Sequence, residues 1–249
     1  MIRHALFATL AIVTAGGLAA QIHRTDAGAT IAAALADPAR ADQATDDDRR
    51  MAAQVLAFSG VKPGDTVVDY LPGRYYWTRI LTDMVGPSGK VLAMWPAALA
   101  DRSAKALPDT LLKWKLANVG YVANPTNLPS ASVPVDLFWT VENYHDIPRN
   151  GAGEPALRAF DGAVFRMLKS GGTYLVVDHA DVPGTALAGT QDKHRIDPDF
   201  VKRQIQSVGF RFVGASPALR NPADDHAKSV FDPSIRGHTD QFIYKFRKP

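Results

Sequence analysis

The stretch TVVDYLPGRYYWTRIL, Thr66 to Leu81, decides the fold. An apolar run closes on Asp69, a short loop carries Pro72 and Gly73, and apolar residues at helical spacing begin at Tyr76. A β-branched strand, a loop and an amphipathic helix in that order open an α/β unit. The loop has one oddity. Only Gly73 is a glycine, hemmed by Leu71, Pro72, Arg74 and Tyr75. A loop that brings its backbone against a ligand ordinarily uses several, because glycine has no Cβ and accepts φ > 0.

Working outward, the same alternation continues. Strands are expected at Thr66–Leu71, Lys90–Trp95, Val135–Val141, GGTYLVVDH (Gly171–His179), Phe210–Ala215 and Gln241–Arg247. Helices are expected at Tyr76–Val85, Asp109–Ala117, Glu154–Leu168 and Pro198–Val208. Near-continuous apolar strands separated by helices predict a parallel sheet covered on both faces. Upstream, the segment ending at Gly60 reads as helical, with Asp46–Asp48 suited to a helix N-terminus and Met51, Val55, Leu56 and Phe58 as its apolar face. Gly60, Pro63 and Gly64 then break it.

The first residues, MIRHALFATLAIVTAGGLAAQ, have a short basic start, an apolar run and small residues at Gly17, Ala19 and Ala20. That is the order of a secretory signal peptide. The expected organisation is a leader at 1–20, an N-terminal helical segment at 21–60 and an α/β domain at 61–249. A periplasmic or secreted chain without stable membrane insertion after leader removal follows. The 28 basic and 25 acidic side chains nearly balance, at a formal charge of +3, which implies no extended nucleic-acid footprint. There are no cysteines, so disulfides, thiolate metal sites and a cysteine nucleophile are excluded.

Five segments in order, VKPGDTVVDYLPGRYYWTRIL, VGPSGKVLAMWP, VDLFWTVENYHDI, FRMLKSGGTYLVVDH and TDQFIYKFRKP, resemble the class I S-adenosylmethionine-dependent methyltransferases, from Asp42 to Lys248. The resemblance implies a Rossmann-like, doubly wound, seven-stranded and mostly parallel sheet with an antiparallel last strand. It implies methyl transfer from S-adenosylmethionine to a small-molecule ligand. It also places Asp69, Leu71, Gly73 and Tyr75 in the cofactor loop, with Leu71, Gly73 and Tyr75 at the family's three glycine positions. The family ends its second strand on an acid that holds the ribose. Here that segment carries Met94 and Trp95 and no carboxylate. Trp95 would stack on an adenine, fill the vacated pocket or pack in the core. Tyr75, Tyr76 and Trp77 would line an aromatic pocket or belong to the core, and Arg74 would hold an anionic group or be solvated.

Five of the seven histidines follow residue 140: His145, His179, His194, His226 and His238. Each falls in a connection leaving a strand or at a strand end. Loops leaving the carboxyl ends of parallel strands open on one rim, where ligands bind. His145, held by Asp178 or Asp146, is the expected general base, and Asp146, Asp178 and His179 complete the candidate catalytic set. Tyr76, Tyr144, His194, His226 and His238 are the candidate substrate contacts. The turn-rich connection Ser216–Thr239 would act as a lid carrying Arg220, His226, Arg236 and His238. Imidazoles with carboxylates suit a divalent metal, but no compact metal motif assigns one.

Three readings remain open at this point. The first is a methyltransferase. The second keeps the fold, gives up S-adenosylmethionine and works through the His/Asp rim as a metal-assisted or acid–base lyase, isomerase or hydrolase. The third is a non-catalytic periplasmic binding protein.

Overall fold

A computed structural model describes residues 27–105, 107–124 and 128–249. The leader expected at 1–20 lies outside the described residues. Helix α1 covers residues 27–35. Two 3-10 turns, Pro38–Arg40 and Ala44–Asp46, lead to α2, Ala52–Ser59. Asp46–Asp48 therefore do not open a helix, contrary to expectation. The carboxylate of Asp47 is taken instead by Arg40 at 2.6 Å and by the Tyr76 hydroxyl at 2.6 Å.

From there the chain alternates: β1 (Thr66–Tyr70), α3 (Tyr76–Val85), β2 (Lys90–Pro96), α4 (Ala97–Ser103), α5 (Leu107–Trp114), β3 (Val119–Asn124), β4 (Val135–Val141), α6 (Gly153–Met167), β5 (Leu168–His179), α7 (Pro198–Ser207), β6 (Arg211–Ser216) and β7 (Gln241–Arg247). The sheet order is β3-β2-β1-β4-β5-β7-β6. All pairs are parallel except those of β7, which runs antiparallel to β5 and β6. The seven-stranded, mostly parallel α/β sheet is thus as expected, reversed strand included.

Burial explains the strand sequences. The inner strands β1, β2 and β4 are covered on both faces and read as near-continuous apolar runs. The edge strands β3 and β6 alternate between half-buried and exposed positions. One core lies on the α6–α7 side, around Phe138, Phe160, Tyr174 and Phe246; another lies under α2 and α3, around Val55, Trp77, Ile80 and Trp139. Helix α3 ends at Gly86, and the turn into β2 passes so close that a Cβ on Gly89 would lie 2.5 Å from the Val85 Cβ and 2.8 Å from the Asp65 carbonyl oxygen. Only glycine fits there. No helix among the described residues is long and apolar enough to cross a membrane.

This topology positions the rim. β1, β4 and β5 end at one edge, and the antiparallel β7 begins there, with Gln241 opposite His179. Residues just before β7 are thereby brought beside the end of β5.

Candidate functional site

The loop after β1 keeps a glycine-type backbone without the glycines. Leu71, Gly73 and Tyr75 have φ of 54°, 56° and 62°, all left-handed. For the two non-glycine residues that conformation costs about 1–2 kcal/mol each. Asp69 is 2% exposed and accepts a hydrogen bond from the Thr78 hydroxyl at 2.6 Å. Burial pushes its carboxyl up to about 7. Tyr75 turns its ring inward, edge-on to Trp95 and to Trp114. Trp95 is 1% exposed and also packs on Tyr121. The end of β2 is therefore filled by an aromatic cluster. Of the alternatives for Trp95, its placement is the core.

Between this loop and the N-terminal segment lies a cavity of about 240 Å³, lined by Asp69, Gly73, Arg74, Arg50, Trp77 and Glu142 among others. The segment is tied down over the loop: Gln43 donates to the Arg74 carbonyl at 3.0 Å and Arg79 to Asp42 at 3.1 Å. Arg40, fully buried, lies 5.5 Å from the Tyr76 ring centroid. Tyr76 lines the cavity, but its hydroxyl is engaged by Asp47. A second cavity of about 350 Å³ includes Arg49, Arg220 and His238 and shares Arg50, Trp77, Val141 and Glu142 with the first.

The histidines are built from the ends of β4 and β5. After β4, Glu142 takes φ 59° and a 3-10 turn, Tyr144–Asp146, follows. Asp178, fully buried near the end of β5, accepts three hydrogen bonds: from the His145 backbone N–H at 2.7 Å, His145 Nδ1 at 2.7 Å and the His179 N–H at 2.8 Å. Burial opposes ionisation of Asp178, but the facing His145 and these donors outweigh it and hold the carboxyl below its usual range. For His145, burial lowers the imidazole, and the charge and hydrogen bond of Asp178 overcome that, so its pKa is raised. His145 Nε2 lies 3.1 Å from His194 Nδ1 and 3.4 Å from Asp146 Oδ1. Burial, together with Arg149 and His145, lowers the pKa of His194. His179 is lowered too, chiefly by burial, and its Nδ1 meets the Thr239 hydroxyl at 2.7 Å.

His145, Asp146, Asp178, His179 and His194 thus form one cluster. His226 and His238 lie elsewhere on the rim. His226 faces Asp240 at 3.1 Å, and His238 lines the larger cavity. Tyr144 is fully buried with its hydroxyl donated to Asp161 at 2.9 Å, a core placement instead of the expected substrate-facing one. The connection expected to be a lid is pinned. Arg195, fully buried, pairs with Asp224 at 2.9 Å, Asp224 accepts the Asp240 N–H at 2.7 Å, and Arg220 reaches Asp240 at 2.8 Å.

Sequence reasoning missed three participants. Glu142 lines both cavities, and its position directly after β4 was the available signal. Arg149 donates to Asp146 at 2.8 Å, a pairing that its spacing of three residues on a turn permits. Arg195 carried no local signal, because its partner arrives from the connection before β7.

No family model matches the chain. It is similar to the ubiquinone/menaquinone biosynthesis C-methyltransferase UbiE of Ectopseudomonas mendocina (strain ymp), 29% identical over 193 residues, or 76% of this chain. The match spans 65% of that relative's length. Among solved structures, a SAM-dependent methyltransferase from Aquifex aeolicus matches with a TM-score of 0.59 at 18% identity, over 88% of this chain and 98% of that one. The [4+2]-cyclase SpnF matches with a TM-score of 0.58 at 16% identity, over 81% and 80%. With the strand order above, these likenesses show that the chain has the fold of the class I S-adenosylmethionine-dependent methyltransferases.

Proposed function

We propose that this protein is an enzyme that acts on a small molecule at the carboxyl-end rim of its sheet, nominally by methyl transfer from S-adenosylmethionine. In this reading His145 takes a proton from the acceptor while Asp178 holds its ring. The carrying observation is the buried pair itself: one carboxylate fixes both the backbone and Nδ1 of His145, leaving Nε2 directed at His194 and Asp146. An imidazole oriented by a buried acid, with its second nitrogen facing two further titratable side chains, is an arrangement that suits proton transfer. The Asn143 side chain donates to the Tyr70 carbonyl at 3.0 Å and ties this turn to the cofactor loop.

Methyl transfer draws its support from the C-methyltransferase among the relatives and from the fold. The residues fit that cofactor only in part. The cavity beside the loop suits the amino-acid end. The nucleoside half does not fit, since Trp95 stands where the family carries its ribose acid and is sealed under Tyr75. No step is therefore derived through the cofactor. The same observation favours a second reading, an acid–base enzyme of this fold without S-adenosylmethionine: a lyase, isomerase or hydrolase. The likeness to a cyclase, at a TM-score of 0.58 against 0.59, is consistent with a fold that hosts several chemistries.

Calorimetric titration with S-adenosylmethionine and S-adenosylhomocysteine separates the two. Micromolar binding supports methyl transfer; no binding at millimolar ligand retires it and leaves the second reading. Export through the leader at 1–20 belongs to the same proposal, and N-terminal sequencing of the protein recovered from outside the cytoplasm tests it.

A further inference from the structure

We propose that His145, Asp146 and His194 form a binding site for a divalent first-row cation, of which zinc is the reference member. Among the described residues they are the one group of three such side chains whose ligand atoms all lie within 4.8 Å of one another. The geometry is closer than that. His145 Nε2, His194 Nδ1 and Asp146 Oδ1 form a triangle with edges of 3.1, 3.4 and 3.5 Å. Three ligand atoms about 2.05 Å from a tetrahedral zinc stand about 3.3 Å apart. The triangle has the size of one face of such a site without any movement.

The surroundings agree. Asp178 takes the proton side of His145 Nδ1, which leaves the Nε2 lone pair for a cation, the carboxylate–histidine arrangement that orients metal ligands. His194 is held in a left-handed backbone conformation, φ 56°, which is strained for a non-glycine residue. Two nitrogens and one carboxylate oxygen, with no sulfur, suit zinc, ferrous iron, cobalt or nickel over calcium or magnesium. Of the three side chains, His145 is buried, His194 is 18% exposed and Asp146 is 39% exposed, so the site borders solvent.

One group opposes the site. Arg149 places a guanidinium nitrogen 2.8 Å from Asp146 Oδ1 and 3.3 Å from His194 Nδ1. Its charge stands in for the cation, and binding would have to displace it. Its side chain is 22% exposed and its remaining contact is the Gln191 carbonyl at 3.3 Å, so the way out to solvent is short. The inference goes beyond the proposed function. An Nε2 lone pair given to a metal is not free to take a proton, so His145 serves as a base in the metal-free protein and as a ligand in the loaded one.

Metal-stripped full-length protein is titrated with zinc chloride by calorimetry, and cobalt(II) loading is followed by its visible absorption. One equivalent bound at micromolar or tighter dissociation constant is expected, with His194→Ala and Asp146→Ala each weakening it at least tenfold. Both positions are partly exposed, and unfolding curves confirm that the variants fold. Arg149→Met removes the competing charge and is expected to bind as tightly or more tightly. Absence of saturable binding at millimolar zinc overturns the proposal, as does unchanged affinity in both ligand variants or lost affinity in Arg149→Met. The readout is independent of the cofactor titration, so failure of the methyltransferase reading and failure of the metal site are told apart.

Discussion

Asp178→Asn tests how much of the rim one carboxylate holds. The side chain is fully buried and accepts from the His145 N–H on one oxygen and from His145 Nδ1 and the His179 N–H on the other. An asparagine has one acceptor where the aspartate has two. If its amide replaces Oδ2, the His145 N–H is stranded; if it replaces Oδ1, both the His179 N–H and the His145 Nδ1–H are. In the better orientation one buried backbone donor loses its partner, which costs about 1–3 kcal/mol. The two surviving bonds lose charge assistance, about 1 kcal/mol each. Relief from burying a charge offsets part of this, and the expected net loss is about 2–4 kcal/mol. For a chain of this size each kcal/mol moves Tm by about 2–4 °C, so Tm should fall by about 4–16 °C. Scanning calorimetry at neutral pH reads it directly. A fall of less than about 2 °C would show that His145 and His179 are positioned by the surrounding backbone and that the proposed role of Asp178 is wrong.

Three other perturbations are informative. Asp161 is buried under Tyr144, Tyr174 and Gln204, and burial pushes its carboxyl up to about 7 from 3.8. The fold therefore keeps a proton that the unfolded chain has released. Its contribution is greatest below about pH 4, declines between about pH 4 and 7, and is flat above; Asp161→Asn should flatten this part of a Tm-against-pH curve, and an unchanged slope would count against it. Trp95→Ala should cost about 3–5 kcal/mol of stability. It should also tighten S-adenosylhomocysteine binding at least tenfold if Trp95 blocks the nucleoside, whereas tighter binding by the unaltered protein would mean that Trp95 stacks on the ligand. Arg40→Met leaves Asp47, 19% exposed, with Tyr76 alone and should cost about 2–3 kcal/mol. Amide exchange should then accelerate across residues 38–50 with the inner strands unaffected, and uniform protection would show that the pair does not hold the segment down.

What the sequence disclosed and what it hid follow one physical division. Helix α3, Tyr76–Val85, and strands β4 and β7 stand at the expected boundaries, because their pattern is set by burial against a sheet. Seven strands were expected, but β3 was not placed: as an edge strand it is only half-buried, and Gly120 interrupts its apolar pattern. α4 starts directly after Pro96, where β2 ends, with no intervening turn to separate the two. β5 begins at Leu168, earlier than expected, and its register against β4 shifts between the Leu168 and Thr173 pairings, a stretch that holds Gly171 and Gly172. At the site, strand direction alone put the late histidines on one rim. It did not tell which would meet, because the path of residues 217–240 is set by Arg195, Asp224 and Asp240, which come together only in the folded chain.

The loop after β1 separates two questions that a glycine motif merges. Leu71 and Tyr75 keep left-handed φ at positions where glycine would be free of strain, so something other than composition demands that shape. A cofactor is not required to supply the demand. The Leu71 N–H is held by the Met94 carbonyl at 2.9 Å, the Tyr75 N–H by Pro72 at 2.8 Å, and the Tyr75 carbonyl accepts from Arg79 at 3.1 Å as α3 begins. The turn is thus fixed by the join between β1, β2 and α3. Burial of the Tyr75 ring against Trp95 and Trp114 repays strain of the order of 1–2 kcal/mol, since such a side chain contributes about 1.5–3 kcal/mol when buried. Loop conformation therefore reports the fold and is silent on the ligand. The informative position is the end of β2, where the choice between a carboxylate and a sealed tryptophan determines whether a ribose has a partner. There this chain has the tryptophan, and its chemistry is to be sought first around His145.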